Sequence, residues 1–300
     1  MTWFKQLSIF RLSAPVDGAA LSERLDKAPF AKCAGLDWFT EGWVWPASHV
    51  GSPVFKARDC LLVSLKREDK VLPVVTIRAA VDEKALEIEQ RDHRGIGHKE
   101  KQALKEQVTD DLLPKAFTRE GRLNAYIDNR RRWLMVDTST SSKAEALVSK
   151  LREALPPFPA ALPRAKFAPH TAMTDWLAAG EAPEGFELDA EVELRDPSEN
   201  GAVIRCVRMD LTSDEIRQHI ATGKQVTKLG LIWNERVRFV LTDTLQLKRI
   251  QFLDVLQDEA SQAGDDSASL FEATLTLMVE ELGDLVDGLI EALGGLDAAG

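Results

Sequence analysis

Phe271, Leu275, Met278, Leu282, Leu285, Leu289 and Leu293 follow one another at spacings of four and three residues. That spacing places all seven on one stripe of a single helix, with Gly294-Gly295 positioned to stop it. An apolar seam of this length has to be covered, either by the chain's own sheet or by a second subunit. The elements that precede it read as strands, a helical insertion, strands and a helix, then strands again. This order predicts an α+β fold of antiparallel sheets with a protruding helical hairpin and a C-terminal helix.

Trp3–Leu12 alternates well enough for a strand, and apolar residues on both faces predict burial on both sides. Asp59–Leu65 and Val71–Ile77 predict two more strands around a charged turn, Lys66-Arg67-Glu68-Asp69-Lys70. The 33 residues Val81–Leu113 are mostly good helix formers, with Leu86, Leu104, Val108 and Leu112 as sparse apolar anchors and a break at Arg94-Gly95-Ile96-Gly97. They predict a hairpin, polar nearly all round, that projects into solvent or meets a partner. Leu123–Asp128 and Trp133–Val136 return to strand character, and Lys143–Leu155 predicts a helix stopped by Pro156-Pro157. The proline-rich stretch to Pro169 predicts a linker. Beyond it come a strand at Ala202–Asp210 and a helix opened by the capping box Thr212-Ser213-Asp214-Glu215 and closed by Gly223. A meander near Val226–Trp233, Arg236–Thr242 and Leu245–Phe252 follows. The expected domains are 1–80 with 114–169, the hairpin 81–113, and 170–300.

The net charge of -10 is unevenly spread. From Ile250 to Gly300 there is no Lys or Arg, only the acids Asp254, Asp258, Glu259, Asp265, Asp266, Glu272, Glu280, Glu281, Asp284, Asp287, Glu291 and Asp297. Residues 1–249 carry 38 basic and 36 acidic groups, a net of +2. Repulsion from the tail is damped beyond roughly 8 Å at physiological salt, so a polyanionic partner is not excluded.

Several chemistries find no carrier. No run of eighteen apolar residues is present, and the start Met1-Thr2-Trp3-Phe4-Lys5 lacks the layout of a secretory signal, so a cytosolic protein is expected. Cys33, Cys60 and Cys206 are odd in number and far apart, which predicts buried reduced thiols. His49, His93, His98, His170 and His219 form no metal-binding spacing. Gly95-Ile96-Gly97-His98-Lys99 completes no phosphate loop and reads as a hairpin turn. Glu280-Glu281 and Asp265-Asp266 read as a solvated face. No catalytic residue, metal or cofactor is expected.

Cations beside aromatics are what the sequence does offer. Leu113–Trp133 packs Lys115, Arg119, Arg122, Arg130, Arg131 and Arg132 around Phe117, Tyr126 and Trp133. Lys66, Arg67 and Lys70, Arg205 and Arg208, and Lys224 and Lys228 can extend such a surface. Phosphate contact needs cations, and flat groups pack on sugars or bases; the plainer alternative is basic residues solvated in turns. Strict alternation puts Arg205 and Arg208 on opposite faces of their strand. Apolar character slightly favours Phe117 as a core anchor over an exposed contact. Trp3, Tyr126, Trp133, Trp176 and Trp233 are expected in the core.

Read in order, a set of short blocks resembles the bacterial recombination-associated RdgC family over essentially the whole chain. They are Trp3-Phe4-Lys5, Phe10-Arg11-Leu12, the Gly42-Trp43-Val44 turn, Lys70-Val71-Leu72-Pro73, Leu113-Pro114-Lys115-Ala116-Phe117-Thr118-Arg119 and Met135-Val136-Asp137. Asp210-Leu211-Thr212-Ser213-Asp214-Glu215-Ile216, Gly223-Lys224-Gln225-Val226-Thr227-Lys228-Leu229, Leu247-Lys248-Arg249 and Ala292-Leu293-Gly294-Gly295 complete the set. The resemblance implies a ring-shaped homodimer that encircles double-stranded DNA with little sequence preference and negatively modulates RecA-type recombination. Single-stranded DNA stays open as a second ligand. The implied protein is cytoplasmic and nucleoid-associated, is no enzyme and needs no cofactor.

Phe117, Arg208 and Met209 are implied as a gate between subunits, and Met209 stands where a polar amide is expected, which implies closure by packing. The expected DNA contacts are Lys66, Arg67, Lys70, Lys115, Arg119, Arg122, Arg205, Lys224 and Lys228, with the acidic tail facing outward. The rival readings are a cytosolic protein-interaction scaffold without DNA binding and a nuclease whose metal-binding acids form no motif.

Overall fold

The computed structural model describes residues 3–198, 201–254, 256, 258–259 and 266–297; of the residues named above, Met1, Thr2, Asp265 and Gly300 lie outside them. In chain order the elements are β1 (Ser8–Leu12), α1 (Gly18–Leu25), β2 (Phe39–Val44), β3 (Val54–Ala57), β4 (Cys60–Val71), α2 (Val74–Asp92), α3 (His98–Leu112), β5 (Phe117–Asp128), β6 (Trp133–Val136) and α4 (Ser141–Ala154), then β7 (Ala160–Ala161), α5 (Pro169–Ala179), β8 (Phe186–Arg195), β9 (Val203–Val207), α6 (Asp214–Ala221), β10 (Gln225–Trp233), β11 (Val237–Thr242), β12 (Leu247–Phe252) and α7 (Ser267–Ala292). The α+β class is as expected. The chain divides into two compact units, residues 1–24, 45–63 and 123–300, and residues 25–44 and 64–122. They are drawn differently from the three segments expected from sequence.

In the larger unit, β1 pairs antiparallel with β6 and with the short β7, and Ala125–Asp128 of β5 pairs with β6. A five-stranded antiparallel sheet has the order β12-β11-β10-β8-β9, and its last three sequential strands are the expected meander. Phe4, Leu7, Ile9, Phe10 and Leu12 are all buried, which explains the imperfect alternation at the start of the chain. The stripe of α7 is covered by this same unit. Phe271, Leu275, Met278, Leu282, Leu285, Leu289 and Leu293 join Phe4, Tyr126, Trp133, Leu229 and Phe239 in one apolar cluster. The proline-rich stretch is therefore no linker. β7 lies inside it, the Lys166 and Phe167 amides donate to the Gly295 and Leu293 carbonyls, and Pro169 opens α5.

The predicted capping box does not form. Ser213 is the N-cap of α6 and makes no side-chain cap, and the Thr212 hydroxyl that the box would use donates to Asp210 instead, at 2.7 Å. Cys60 is buried, and Cys33 and Cys206 are half-buried free thiols.

In the smaller unit, Lys66–Lys70 is no turn but the interior of the twelve-residue strand β4, with Ser64–Asp69 paired to β2. Its charges are satisfied where they stand. The Cys33 amide donates to Glu68 at 2.6 Å, and Lys70 Nζ donates to the Gly35 carbonyl at 2.6 Å. Val74 starts a helix rather than continuing a strand, because Pro73 leads into it and its carbonyl accepts from the Thr76 and Ile77 amides. Gly42 is likewise within β2, not in a turn. The Phe30 segment crosses so close that a Cβ at Gly42 would stand 2.5 Å from Phe30 Cα. The hairpin of α2 and α3 packs on a small cluster of its own, Ile77, Val81, Leu104 and Val108, with Leu72, Ala80, Ala85, Ile88 and Leu112 half-buried around them.

This contrast is testable by equilibrium unfolding. Leu285→Ala, in the fully buried stripe, is expected to lose about 2–5 kcal/mol. Leu86→Ala, 55% exposed on the hairpin, is expected to stay within about 0.5 kcal/mol of the parent.

Candidate nucleic-acid interface

β5 changes character along its length: Phe117–Arg122, in the smaller unit, are all exposed, whereas Ala125–Asp128 are buried. Phe117 is 88% exposed, so the core reading is overturned. Alternation separates Phe117 and Arg119 from Thr118 and Glu120. The latter pair faces β4, where Glu120 binds Lys66 at 2.8 Å and Thr118 hydrogen-bonds Glu68. The Glu68 carboxyl is held below its usual range, first by the Cys33 amide. Arg119 makes no ion pair among the described residues, and Lys115 lies exposed on the short 3-10 turn Leu113–Lys115. Arg122 is exposed and locally engaged.

The other candidates in this unit are less available. Lys66 also lies over the Phe30 ring at 4.6 Å. Arg67 is bound to Asp69 at 2.8 Å and Glu41 at 3.5 Å, and stacks on Phe39 at 3.8 Å. Lys70 is buried on the Gly35 carbonyl and presents no charge to a phosphate.

In the larger unit, Arg205 and Lys228 converge on one buried carboxylate, Glu193, at 2.6 and 2.8 Å. Burial pushes the Glu193 pKa up, but hydrogen bonds from Lys228 and Arg205 outweigh it and hold the group at about 2. Lys224 is half-buried and donates to the Thr222 hydroxyl at 3.1 Å. Arg208 follows β9 in the left-handed region, φ 57°, so strict alternation with Arg205 no longer applies. Its side chain is exposed, while Met209 is half-buried against the core cluster.

The arginine run after β5 behaves differently from its reading as a phosphate surface, and the acidic tail does not simply face outward. Arg131, 11% exposed, binds Asp128 at 3.3 Å, Glu280 at 2.9 Å and Asp284 at 2.5 Å, with Asp287 at 3.5 Å. Arg130 also binds Glu280. Burial disfavours the Arg131 charge, yet Glu280 and Asp284 hold its pKa above the ordinary value. Gly283 leaves the room: a Cβ there would stand 2.8 Å from the Arg131 side chain. Trp133 Nε1 donates to Asp287 at 2.7 Å. Glu281 and Glu259 take Arg236. The signal for this network was in the spacing of 280, 284 and 287, which share one helix face.

Among the described residues no three His, Cys, Asp or Glu side chains come together to hold a metal ion. Burial pushes the Cys60 thiol well above its usual pKa, which suits a structural rather than a nucleophilic cysteine. Among the described residues no helix is long and apolar enough to cross a membrane.

Two antiparallel sheets, a polar helical hairpin and a strand end that carries exposed Arg119 and Arg122 define an α+β protein. The family model described as "Putative exonuclease, RdgC" matches residues 2–296. The recombination-associated protein RdgC of Laribacter hongkongensis is 54% identical over 296 residues, covering 98% of each chain. That of Neisseria meningitidis serogroup C is 46% identical over 98% of this chain and 99% of its own, and that of Dechloromonas aromatica 37% identical over 98% of each. The chain belongs to the RdgC family of recombination-associated proteins. The relatives' names state that association and no enzymatic activity.

Two variants test the ion networks. Arg131→Ala leaves Asp128 buried without its counter-ion and is expected to cost about 3–5 kcal/mol in urea unfolding. Glu193 has a folded pKa below the ~4.3 of an unfolded glutamate, so its contribution is complete above that value and vanishes as pH falls through about 2. Glu193→Gln is then expected to lose about 1–2 kcal/mol at pH 7, after allowing for solvent around Arg205, and little near pH 2.

Proposed function

We propose that this protein binds double-stranded DNA without sequence preference, encircles it as a ring-shaped homodimer, and negatively modulates RecA-type recombination by occupying the DNA. The observation that carries this reading is the exposed arm Phe117–Arg122 in a chain of the recombination-associated family. Its cations meet phosphates, and Phe117, with nearly its whole ring in water, meets another chain. Phe117 with Arg208 and Met209 makes the gate, and the half-buried thioether of Met209 supplies apolar contact there.

Lys115 and Arg119 are the leading DNA contacts, with the exposed but already engaged Arg122 beside them and with Arg205, Lys224 and Lys228 contributing through a surface that Glu193 partly neutralises. Lys66 and Arg67 add less, since each already serves a carboxylate. No cofactor enters this function, and the place of action is the nucleoid. Single-stranded DNA, which offers the same phosphates, is a second ligand.

The test is binding to linear and to closed circular duplex across a salt series, with the mass in solution recorded and Mg²⁺ or Mn²⁺ added in a parallel set. The expected result is a dimer whose complex on circles survives a salt jump that strips it from linear DNA. On linear DNA, log affinity should fall with log salt at roughly -0.9 per phosphate neutralised. Arg119→Ala, which removes one cation from each protomer of the ring, should flatten that slope by about 2. Salt-insensitive binding, or none, would turn the reading to a protein-interaction scaffold, and metal-dependent cleavage would turn it to a nuclease.

A further inference from the structure

Of the three consecutive arginines after β5, the carboxylates of α7 take Arg130 and Arg131 and leave Arg132. Arg132 holds a left-handed backbone, φ 63°, fixed by its carbonyl accepting from the Leu12 amide at 2.9 Å. A long side chain in that region is costly and persists where the surroundings impose it. It lines a groove of about 520 Å³ within the larger unit. Arg11 and Arg164 line the same groove. Arg11 is locked in place, donating to the Arg131 and Arg132 carbonyls and stacking on Trp133 at 4.7 Å.

Among the described residues neither Arg132 nor Arg164 makes an ion pair, and Asp297 is the one acid in the groove lining. Between the arginines the wall is apolar: Leu12, Phe158 and Leu162, the last 63% exposed. β7, at the end of its sheet's strand order, forms one side.

We propose that this groove docks an extended acidic peptide segment of a partner protein, carboxylates on Arg132 and Arg164 and an apolar side chain against Leu162 and Phe158. Charge complementarity selects the acid, and the volume falls in the range of ordinary ligand sites. The apolar wall favours a peptide, whose branched aliphatic side chain fills it, over a duplex backbone that presents mainly phosphate oxygens and leaves such a wall poorly covered. This inference does not rest on the DNA reading, because none of the leading DNA contacts lines the groove.

The experiment is fluorescence anisotropy of the full chain with a labelled eight-residue peptide of alternating aspartate and leucine. Controls replace every aspartate with lysine, or every leucine with serine. Binding to the first peptide alone is expected, weakened at least tenfold by Arg164→Glu and by Arg132→Asn, which keeps a residue tolerant of the left-handed backbone. Unchanged thermal unfolding of both variants shows that they fold, and excess duplex should leave the peptide bound. No binding, equal binding of the serine control, or binding indifferent to both variants overturns the proposal. Displacement of the peptide by duplex DNA overturns it too and assigns the groove to nucleic acid.

Discussion

The Arg131 guanidinium, enclosed by Asp128 on one side and by Glu280 and Asp284 of α7 on the other, is the interaction on which the larger unit's arrangement depends. A buried ion group of this kind contributes little net stability, because desolvation offsets most of the attraction. Its effect is on register. If α7 slipped by one residue, its carboxylates would leave the guanidinium, Gly283 would no longer stand beside the Arg131 side chain, and a buried charge would be stranded. The same slip would turn the apolar stripe by about 100° away from its sheet, so packing and the ion group fix one register together. Trp133, hydrogen-bonded to Asp287 and stacked under Arg11, extends the same constraint to β1 and β6.

That constraint also sorts the positive charge. An acidic helix has taken two of the three arginines in the densest basic cluster of the sequence, so accessible cations are found on the outer half of β5, and in the groove beside β7 that the third arginine, Arg132, lines. Density of Lys and Arg along a chain is thus a poor guide to where a polyanion can sit, because pairing in three dimensions removes the charge before any ligand arrives. Glu193 does the same on a smaller scale, holding Arg205 and Lys228 with one carboxylate.

Much of the fold could be read in the residues. The hairpin follows from helix formers broken at Gly95-Ile96-Gly97, the meander from short apolar runs with two-residue breaks, and α7 from its spacing. β8 is equally readable in principle, since Phe186, Leu188, Ala190, Val192 and Leu194 alternate strictly, but the acids between them suggest a loop. Lys66–Lys70 misled for a different reason, since a five-residue charged run reads as a turn unless a neighbouring backbone satisfies alternate members, as Cys33 and Gly35 do. Phe117 runs against expectation because apolar character predicts burial only on average. The pairing of Arg130 and Arg131 with residues some 150 positions later had only the helix-face spacing of the acids to announce it.

The amide of Phe4 meets the sulfur of Met278 across 274 positions of sequence. During synthesis, the first strand therefore waits for almost the whole chain before its inner face is covered. Contacts of such long range make folding slow and leave apolar surface uncovered while the polypeptide is still emerging. A message cut short before α7 would yield a chain with its sheet face bare and two arginines without their carboxylates, a product suited to aggregation and quality-control proteolysis rather than to partial activity.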